Sequence, residues 1–378
     1  MRVLVFLHSF EPGGVERVAL RLCKAWSANG TDVSLVLGRA DGAMRCEADD
    51  LPYRLLSNGR VPTAAWETLW MILRLPGVIR RERPDVLFCA GNSYTIVSVM
   101  MKLMMGRACP PIVAKISNDL ARNDFPQPIR WIYRRWLRMQ ARYIDRFVGM
   151  APPMRTEIAV AMGIGPDQVR IVDDPALSMT DINRFARPRI DGQRRSRFIA
   201  AGRLVPQKNY ALLLRAFATI ARDDDNLVIL GEGPERRTLE RLAETLGIGE
   251  RVDFVGHVTD LAPWFAEADI FALSSDYEGV PAVIAEALAA GLAIAATDSS
   301  VSMGDMLGDG RFGMICAPKD AQGFAKALDG CRTMRLDING MRSQAERFTV
   351  ERAASQYLAV FAESVGTPSS LTPTGKDR

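Results

Sequence analysis

Apolar and polar positions along this chain follow two rhythms that trade places. Residues 2–8 form a short apolar run of strand length, 14–29 repeat apolar side chains at helical spacing, and 32–37 return to a continuous run. The exchange goes on with a helix predicted over 64–83, a strand over 85–90, a helix over 94–105, a strand over 111–116, a helix over 128–142 and a strand over 145–149. Strands that are apolar at every position must be covered on both faces, and helices between them supply the cover. A parallel sheet is expected.

The rhythm breaks between 173 and 197, a stretch holding Pro175, Pro188, Gly192 and the pair Arg194 and Arg195, and then restarts. Strands at 197–201, 227–230, 252–255, 270–274 and 292–296 alternate with helices at 209–222, 234–246 and 281–290. The expected fold class is α/β: two Rossmann-like doubly wound domains in tandem, facing across a cleft. The predicted boundaries are a first domain at 1–178, a linker at 179–196, a second domain at 197–349, a helix at 350–365 packed back on the body, and a disordered polar tail at 366–378. Ligands of such sheets bind beyond the carboxyl ends of the strands, so chemistry is sought directly after them.

Composition adds limits. A length of 378 residues suits two domains. His8 stops the first apolar run too soon for a secretory signal, and no run reaches the roughly 18 apolar residues of a spanning helix. A cytoplasmic protein, at most peripheral on the inner face of the membrane, is expected. The six cysteines are scattered without a CxxC pair and read as reduced, buried thiols. The net charge of +4 is uneven: residues 1–185 carry the excess of Lys and Arg, and the remainder is slightly acidic. The basic half should meet something anionic. Nucleic acid is not expected, because charge alone would support it and no motif does.

Several loops after predicted strands carry chemistry. Gly13 and Gly14 follow the first strand and open a helix, which lets backbone approach a ligand or simply makes a tight turn; the spacing is not the GxGxxG of a dehydrogenase. Arg203 and Lys208 follow the strand at 197–201, and two long cations there suit a diphosphate, though a solvated loop with incidental charge would look the same. Gly231-Glu232-Gly233-Pro234 reads as a strand-to-helix turn. The stretch 276–292 holds Glu278 in a loop, Gly279, Val280 and Pro281 at a helix start, and Glu286 inside that helix. Backbone N–H groups at a helix start suit phosphate, and a carboxylate in the apolar run 283–288 needs donors such as a ribose diol or a nearby Arg.

In this order, Arg203 to Lys208, the 231–234 turn and Glu278-x7-Glu286 resemble glycosyltransferase family 4, the retaining group 1 enzymes of GT-B fold. Gly13-Gly14-Val15-Glu16-Arg17 and 29–33 resemble that family's first helix and second strand. The resemblance spans 3 to about 362 and is stronger in the second half. It implies an enzyme, a hexosyltransferase, moving a hexose-type sugar from a UDP or GDP sugar to a saccharide or lipid-linked saccharide during cell-surface glycan synthesis. It implies that Arg203 and Lys208 hold the diphosphate, Glu278 touches the sugar, Gly279, Val280 and Pro281 meet sugar or phosphate, Glu286 binds the ribose, and His257 lines the base by its backbone. Gly13 and Gly14 would approach the donor from the opposite domain. Many members carry a His after the strand at 111–116; here Ser117, Asn118 and Asp119 stand on that acceptor side, and the two histidines are His8 and His257. Asp174-Pro175 stands where the family often has Asn-Pro. Retention without an enzyme nucleophile fits a front-face substitution, catalysed by Arg203, Lys208 and Glu278, with no cofactor and no metal. The acidic runs 173–174 and 223–225 are expected to be solvated loop carboxylates.

Two other classes compete: a nucleotide-sugar epimerase of the same fold, which needs acid–base side chains that two histidines supply poorly, and a non-catalytic sugar-nucleotide-binding protein. The predicted helix at 128–142 adds a partner. Arg130, Arg134, Arg138, Arg142 and Arg146 recur every four residues with Trp131, Ile132, Tyr133, Trp136 and Leu137 between them, and Trp66, Trp70, Arg80 and Arg81 form a second such set. Such helices lie on anionic membrane, or are a solvated Arg face over a Trp core.

Overall fold

The computed structural model describes residues 1–11, 13–56, 66–117, 120, 126–186 and 196–366. The expectations for Asn118, Asp119, residues 187–195 of the linker and residues 367–378 of the tail lie outside these. The chain divides into two units, Met1–Pro175 with Val350–Arg378, and Ala176–Thr349.

The first unit runs β1 (Arg2–Leu7), α1 (Gly14–Ala28), β2 (Asp32–Leu37), β3 (Tyr53–Leu55), α2 (Glu67–Glu82), β4 (Val86–Cys89), α3 (Thr95–Met105), β5 (Ile112–Lys115), α4 (Gln127–Gln140), β6 (Arg146–Gly149), α5 (Met154–Met162) and β7 (Val169–Ile171). Its seven strands lie in the order β3-β2-β1-β4-β5-β6-β7, all parallel, with Val3 opposite Val33 and Val86. Every residue of β4 and β5 is buried, as their apolar runs require. Because parallel crossovers are right-handed, α1 covers one face and α2 to α5 cover the other.

The second unit runs α6 (Met179–Phe185), β8 (Arg197–Ala201), α7 (Tyr210–Ile220), β9 (Asn226–Leu230), α8 (Arg236–Thr245), β10 (Val252–Gly256), α9 (Ala262–Glu267), β11 (Ile270–Leu273), α10 (Ala282–Ala289), β12 (Ala293–Thr297), α11 (Met303–Met306), β13 (Gly313–Cys316), α12 (Ala321–Cys331) and α13 (Ile338–Glu346). Its six parallel strands lie in the order β10-β9-β8-β11-β12-β13. Two apolar clusters sandwich the sheet: Leu213, Phe217, Phe324 and Leu328 on one side, Phe265, Ile284, Leu288 and Met341 on the other.

The last helix, α14 (Val350–Gly366), belongs to the first unit. Trp26 of α1 is buried, donates from Nε1 to the Ala354 carbonyl at 3.0 Å, and packs edge-on against Phe88, Tyr357 and Phe361.

The structure corrects three expectations. Residues 179–185 are helix α6 of the second unit rather than linker, started by a capping box in which Ser178 and Asp181 bind each other's backbone. The acidic runs are solvated only in part: Asp223 and Asp224 are exposed as expected, but Asp173, Asp174 and Asp225 are not. Asp225 is fully buried against Arg332, whose guanidinium also lies 4.8 Å from the Phe198 ring centre, and Asp174 pairs with Lys115, whose side chain is 3% exposed. Lys115 in a buried strand needs a neutralising carboxylate, which accounts for Asp rather than Asn before Pro175. The six cysteines are free, but Cys46 is exposed and Cys316 half-buried. Among the described residues no helix is long and apolar enough to cross a membrane.

Candidate functional site

Strand order reverses once in each sheet, between β1 and β4 and between β8 and β11. Two neighbouring connections leave such a point in opposite directions, which opens a crevice at the carboxyl ends.

In the second unit the crevice is lined by the loops after β8 and β11. Gly202 leaves β8 at φ 152, and Gly231 leaves β9 at φ 146. A Cβ on Gly231 would sit 1.9 Å from the Gly202 carbonyl oxygen, and one on Gly233 2.3 Å from that of Leu204. These glycines let two loops pack backbone on backbone, so the 231–234 turn is architectural. The β8 loop then tightens into a 3-10 turn, Pro206–Lys208, and Asn209 at φ 46 caps α7 by accepting from the Leu212 N–H. Asn209 Nδ2 also donates to Asp276 Oδ1 at 2.7 Å, Gln207 Nε2 to the Tyr277 carbonyl at 2.8 Å, and Ser274 Oγ to the Lys208 carbonyl at 2.9 Å. The two loops are laced together across the reversal.

This lacing brings Lys208 and Glu278 into contact. Lys208 Nζ donates to Glu278 Oε1 at 2.5 Å, and Ser275 Oγ donates to the same oxygen at 2.6 Å. The side chains are 16% and 10% exposed. Arg203 is exposed and makes no hydrogen bond or ion pair among the described residues. The Glu278 N–H donates to the Ser299 carbonyl at 2.6 Å, and the Gly279 carbonyl accepts from Ser300 Oγ and Ser302 Oγ, which fixes the approach to α10. Pro281 is the α10 N-cap and gives no side-chain cap; Val280 is half-buried beside it. Glu286, inside α10, is half-buried between buried Ala285 and Ala287. His257 is exposed just after β10. Sequence reasoning missed Tyr210, a buried first residue of α7 whose hydroxyl lies 3.1 Å from where a Gly202 Cβ would stand. Burial, with the Glu278 charge second, pushes its hydroxyl pKa well above the usual range.

In the first unit Gly13 is the N-cap of α1 with extended backbone. A Cβ there would meet Glu16 Oε2 at 2.0 Å, while Gly14 faces open space. Gly13 therefore makes room for the Glu16 carboxylate, which folds back over the helix start. Glu16 Oε1 accepts from the Tyr94 hydroxyl at 2.7 Å, and that hydroxyl accepts from the His8 N–H at 3.2 Å. The His8 ring lies 4.7 Å from the Tyr94 ring, and its Nε2 is 3.3 Å from Thr68 Oγ1. Burial holds His8 below its ordinary pKa, against a smaller opposing pull from Glu16. Tyr94 is held far above its usual range, first by burial and then by Glu16. Ser117, after β5, gives both its N–H (2.8 Å) and its Oγ (3.3 Å) to Asn92 Oδ1 after β4. Glu16, Asn92, Tyr94 and His8 went unread as site residues, although His8 directly follows β1 and Asn92 and Tyr94 follow β4.

The family described as "Glycosyltransferase Family 4" matches residues 12–174, and the one described as "Glycosyl transferases group 1" matches 195–332. The chain is 26% identical over 377 residues, 96% of its length and 99% of the relative's, to the lipopolysaccharide core biosynthesis glycosyltransferase LpsE of Rhizobium meliloti. It is 28% identical over 316 residues, 78% of its length and 74% of the relative's, to the MMP alpha-(1->4)-mannosyltransferase of Mycolicibacterium hassiacum. Among solved structures, Anabaena HepE in complex with UDP superposes with TM-score 0.77 at 19% identity, over 96% of this chain and 100% of that one. The lipopolysaccharide outer core galactosyltransferase WaaB gives 0.76 at 19%, with the same coverage. These likenesses establish the fold as the GT-B kind, two parallel-sheet α/β units.

Proposed function

Because the chain belongs to the group 1 glycosyltransferases of family 4, we propose that it moves a hexose-type sugar from a UDP or GDP sugar, with retention, to a saccharide or lipid-linked saccharide in cell-surface glycan synthesis. The observation that carries the reading is the Lys208–Glu278 contact at the β8/β11 reversal, with the exposed Arg203 in the same loop after β8 making no hydrogen bond or ion pair among the described residues. The likeness to LpsE and WaaB, both lipopolysaccharide enzymes, supports the glycan class, and the UDP complex of HepE supports a uridine donor.

In this reading Arg203 and Lys208 take the diphosphate oxygens, and Glu278, with the backbone of Gly279 and Val280 before Pro281, takes the sugar. Glu286 accepts from the ribose hydroxyls, and the chain at His257 borders the base. The bond from the anomeric carbon to the phosphate oxygen breaks while the acceptor oxygen bonds the same face, and the acceptor's proton passes to the departing phosphate oxygen. Negative charge grows on that leaving group, and fixed cations and helix-start N–H groups stabilise it where it develops. Two protein cations supply the charge that a metal would otherwise supply, so the reading includes no metal. Acceptor hydroxyls meet the first unit's strand ends at Ser117, and by sequence Asn118 and Asp119 follow it. An anionic membrane surface is the further partner.

A transfer assay with labelled sugar nucleotides tests this. Lys208→Ala and Glu278→Ala should each lower the rate about 10²–10³-fold, and turnover should survive a chelator. Wild-type rates in both variants would sink the assignment, and loss of turnover in chelator would sink the metal-free part.

A further inference from the structure

We infer that Ser302 and Ser300, in the loop after β12, form a two-hydroxyl relay that aims and strengthens the Val280 N–H as a donor to the departing phosphate oxygen. Both are positioning residues: Ser302 is fully buried and Ser300 is 8% exposed, so neither is placed to meet a ligand directly. The inference rests on the proposed reading of the loop before α10 and names what stands behind it. A hydroxyl has one proton and two lone pairs. Ser300 Oγ lies 3.2 Å from the Ser302 backbone nitrogen and 2.7 Å from Ser302 Oγ, and it makes a short contact with the Gly279 carbonyl oxygen. A carbonyl oxygen only accepts, so the Ser300 proton goes to Gly279. The N–H and O–H of Ser302 then fill the two lone pairs of Ser300. Ser302 Oγ also approaches the Gly279 oxygen, but at 3.4 Å, so Ser300 is its nearer acceptor. The donations run one way, from Ser302 to Ser300 to the Gly279 carbonyl, and hydrogen bonds in series polarise one another where water is excluded.

The peptide bond from Gly279 to Val280 is trans, and in a trans peptide the C=O and N–H point in opposite directions. Clamping the carbonyl on the serines therefore turns the Val280 N–H away from them. Drawing electron density to the carbonyl oxygen also makes that N–H a stronger donor. Neither the Val280 N–H nor that of Gly279 is hydrogen-bonded among the described residues. The peptides before it are held by the same loop and strand end: the Glu278 N–H donates to the Ser299 carbonyl, and Thr297 Oγ1 donates to the Ser275 carbonyl at 2.5 Å. A fixed donor of this kind gains most where negative charge is greatest. A nucleoside diphosphate carries more charge on its terminal phosphate than a sugar nucleotide, whose sugar ester removes one ionisable oxygen. The relay should therefore favour the diphosphate product, and a transition state in which that charge is growing, over the intact donor.

Calorimetric titration of the full chain compares UDP with UDP-hexoses, and GDP with GDP-hexoses, at about pH 8, where a terminal phosphate has lost its second proton. Ser300→Ala should weaken the diphosphate that the wild type binds about tenfold, the size of one hydrogen bond to a charged group, and the matching sugar nucleotide by about threefold or less. Retained binding of the sugar nucleotide shows that the variant is folded. Ser302→Ala keeps the direct bond to Gly279 and should show the same preference with a loss of about threefold on the diphosphate. A clamp that merely held the loop in shape would weaken both ligands alike. Equal weakening of the two ligands in either variant, or wild-type affinity of Ser300→Ala for the diphosphate, would overturn the inference and leave the transferase reading standing. A wild-type chain that binds neither pair would overturn both.

Discussion

The two strand-order reversals share a topology and differ in what they gather. At β8/β11 the loops bring Lys208 onto Glu278, two charged groups with part of their surface open. At β1/β4 they bring together Glu16, Tyr94 and His8, with the tyrosine buried and burial holding the histidine below its ordinary pKa. The first set suits a ligand whose charge changes during reaction. The second fixes the end of β1 to the first turn of α1 and leaves polar atoms suited to neutral hydroxyls. Under the proposed function, the same topology would serve an anionic donor at one reversal and a hydroxylic acceptor at the other, through the residues that close the two loops.

The comparison breaks most easily at its charged side. If Lys208 and Glu278 act together on the donor, Lys208→Ala/Glu278→Ala should lose far less than the product of the two single losses of about 10²–10³, because each single change already disables the unit. Multiplicative losses would show two independent residues. Gly231→Ala tests whether the lacing behind them is architectural. Its φ of 146 and the 1.9 Å approach to the Gly202 carbonyl should cost about 3 kcal/mol in urea unfolding, and a neutral result would contradict the packing described.

At the neutral side, Tyr94→Phe removes the hydroxyl shared by Glu16 and His8 N–H and should cost about 1–3 kcal/mol, read in the same experiment. His8 gives the smallest effect. Its folded pKa lies below the unfolded one, so its contribution is fully present above the unfolded value, about 6.5, and declines as pH falls through that value toward the folded pKa. His8→Gln should flatten this part of the stability–pH curve between pH 7 and 5. An unchanged slope would place the titration elsewhere.

Much of this contrast was legible where its signals are local. The apolar runs placed β1, β2 and β8, and Arg203, Lys208, Glu278 and Glu286 stood out because each follows a strand within one short motif. β3 escaped because it has three residues, none of them buried. The helix α6 escaped although its Ser178-x-x-Asp181 signature was present, since Pro175 and Pro188 suggested a linker. The Glu16–Tyr94, Lys115–Asp174 and Asp225–Arg332 pairs could not be read, because their members lie 78, 59 and 107 positions apart and the sheet alone brings them together. Gly13 shows the same limit: its neighbour Glu16, three residues on, decides why it is glycine.

The central claim is that Lys208 and Glu278 mark a sugar-nucleotide site. Calorimetric titration of the wild-type chain and Lys208→Ala with UDP- and GDP-hexoses tests it directly. The account predicts saturable binding of at least one of these donors to the wild type, weakened about 10²-fold in the variant as expected for loss of a charged phosphate contact. Binding of equal strength in Lys208→Ala, or no binding of any of them to the wild type, would contradict it.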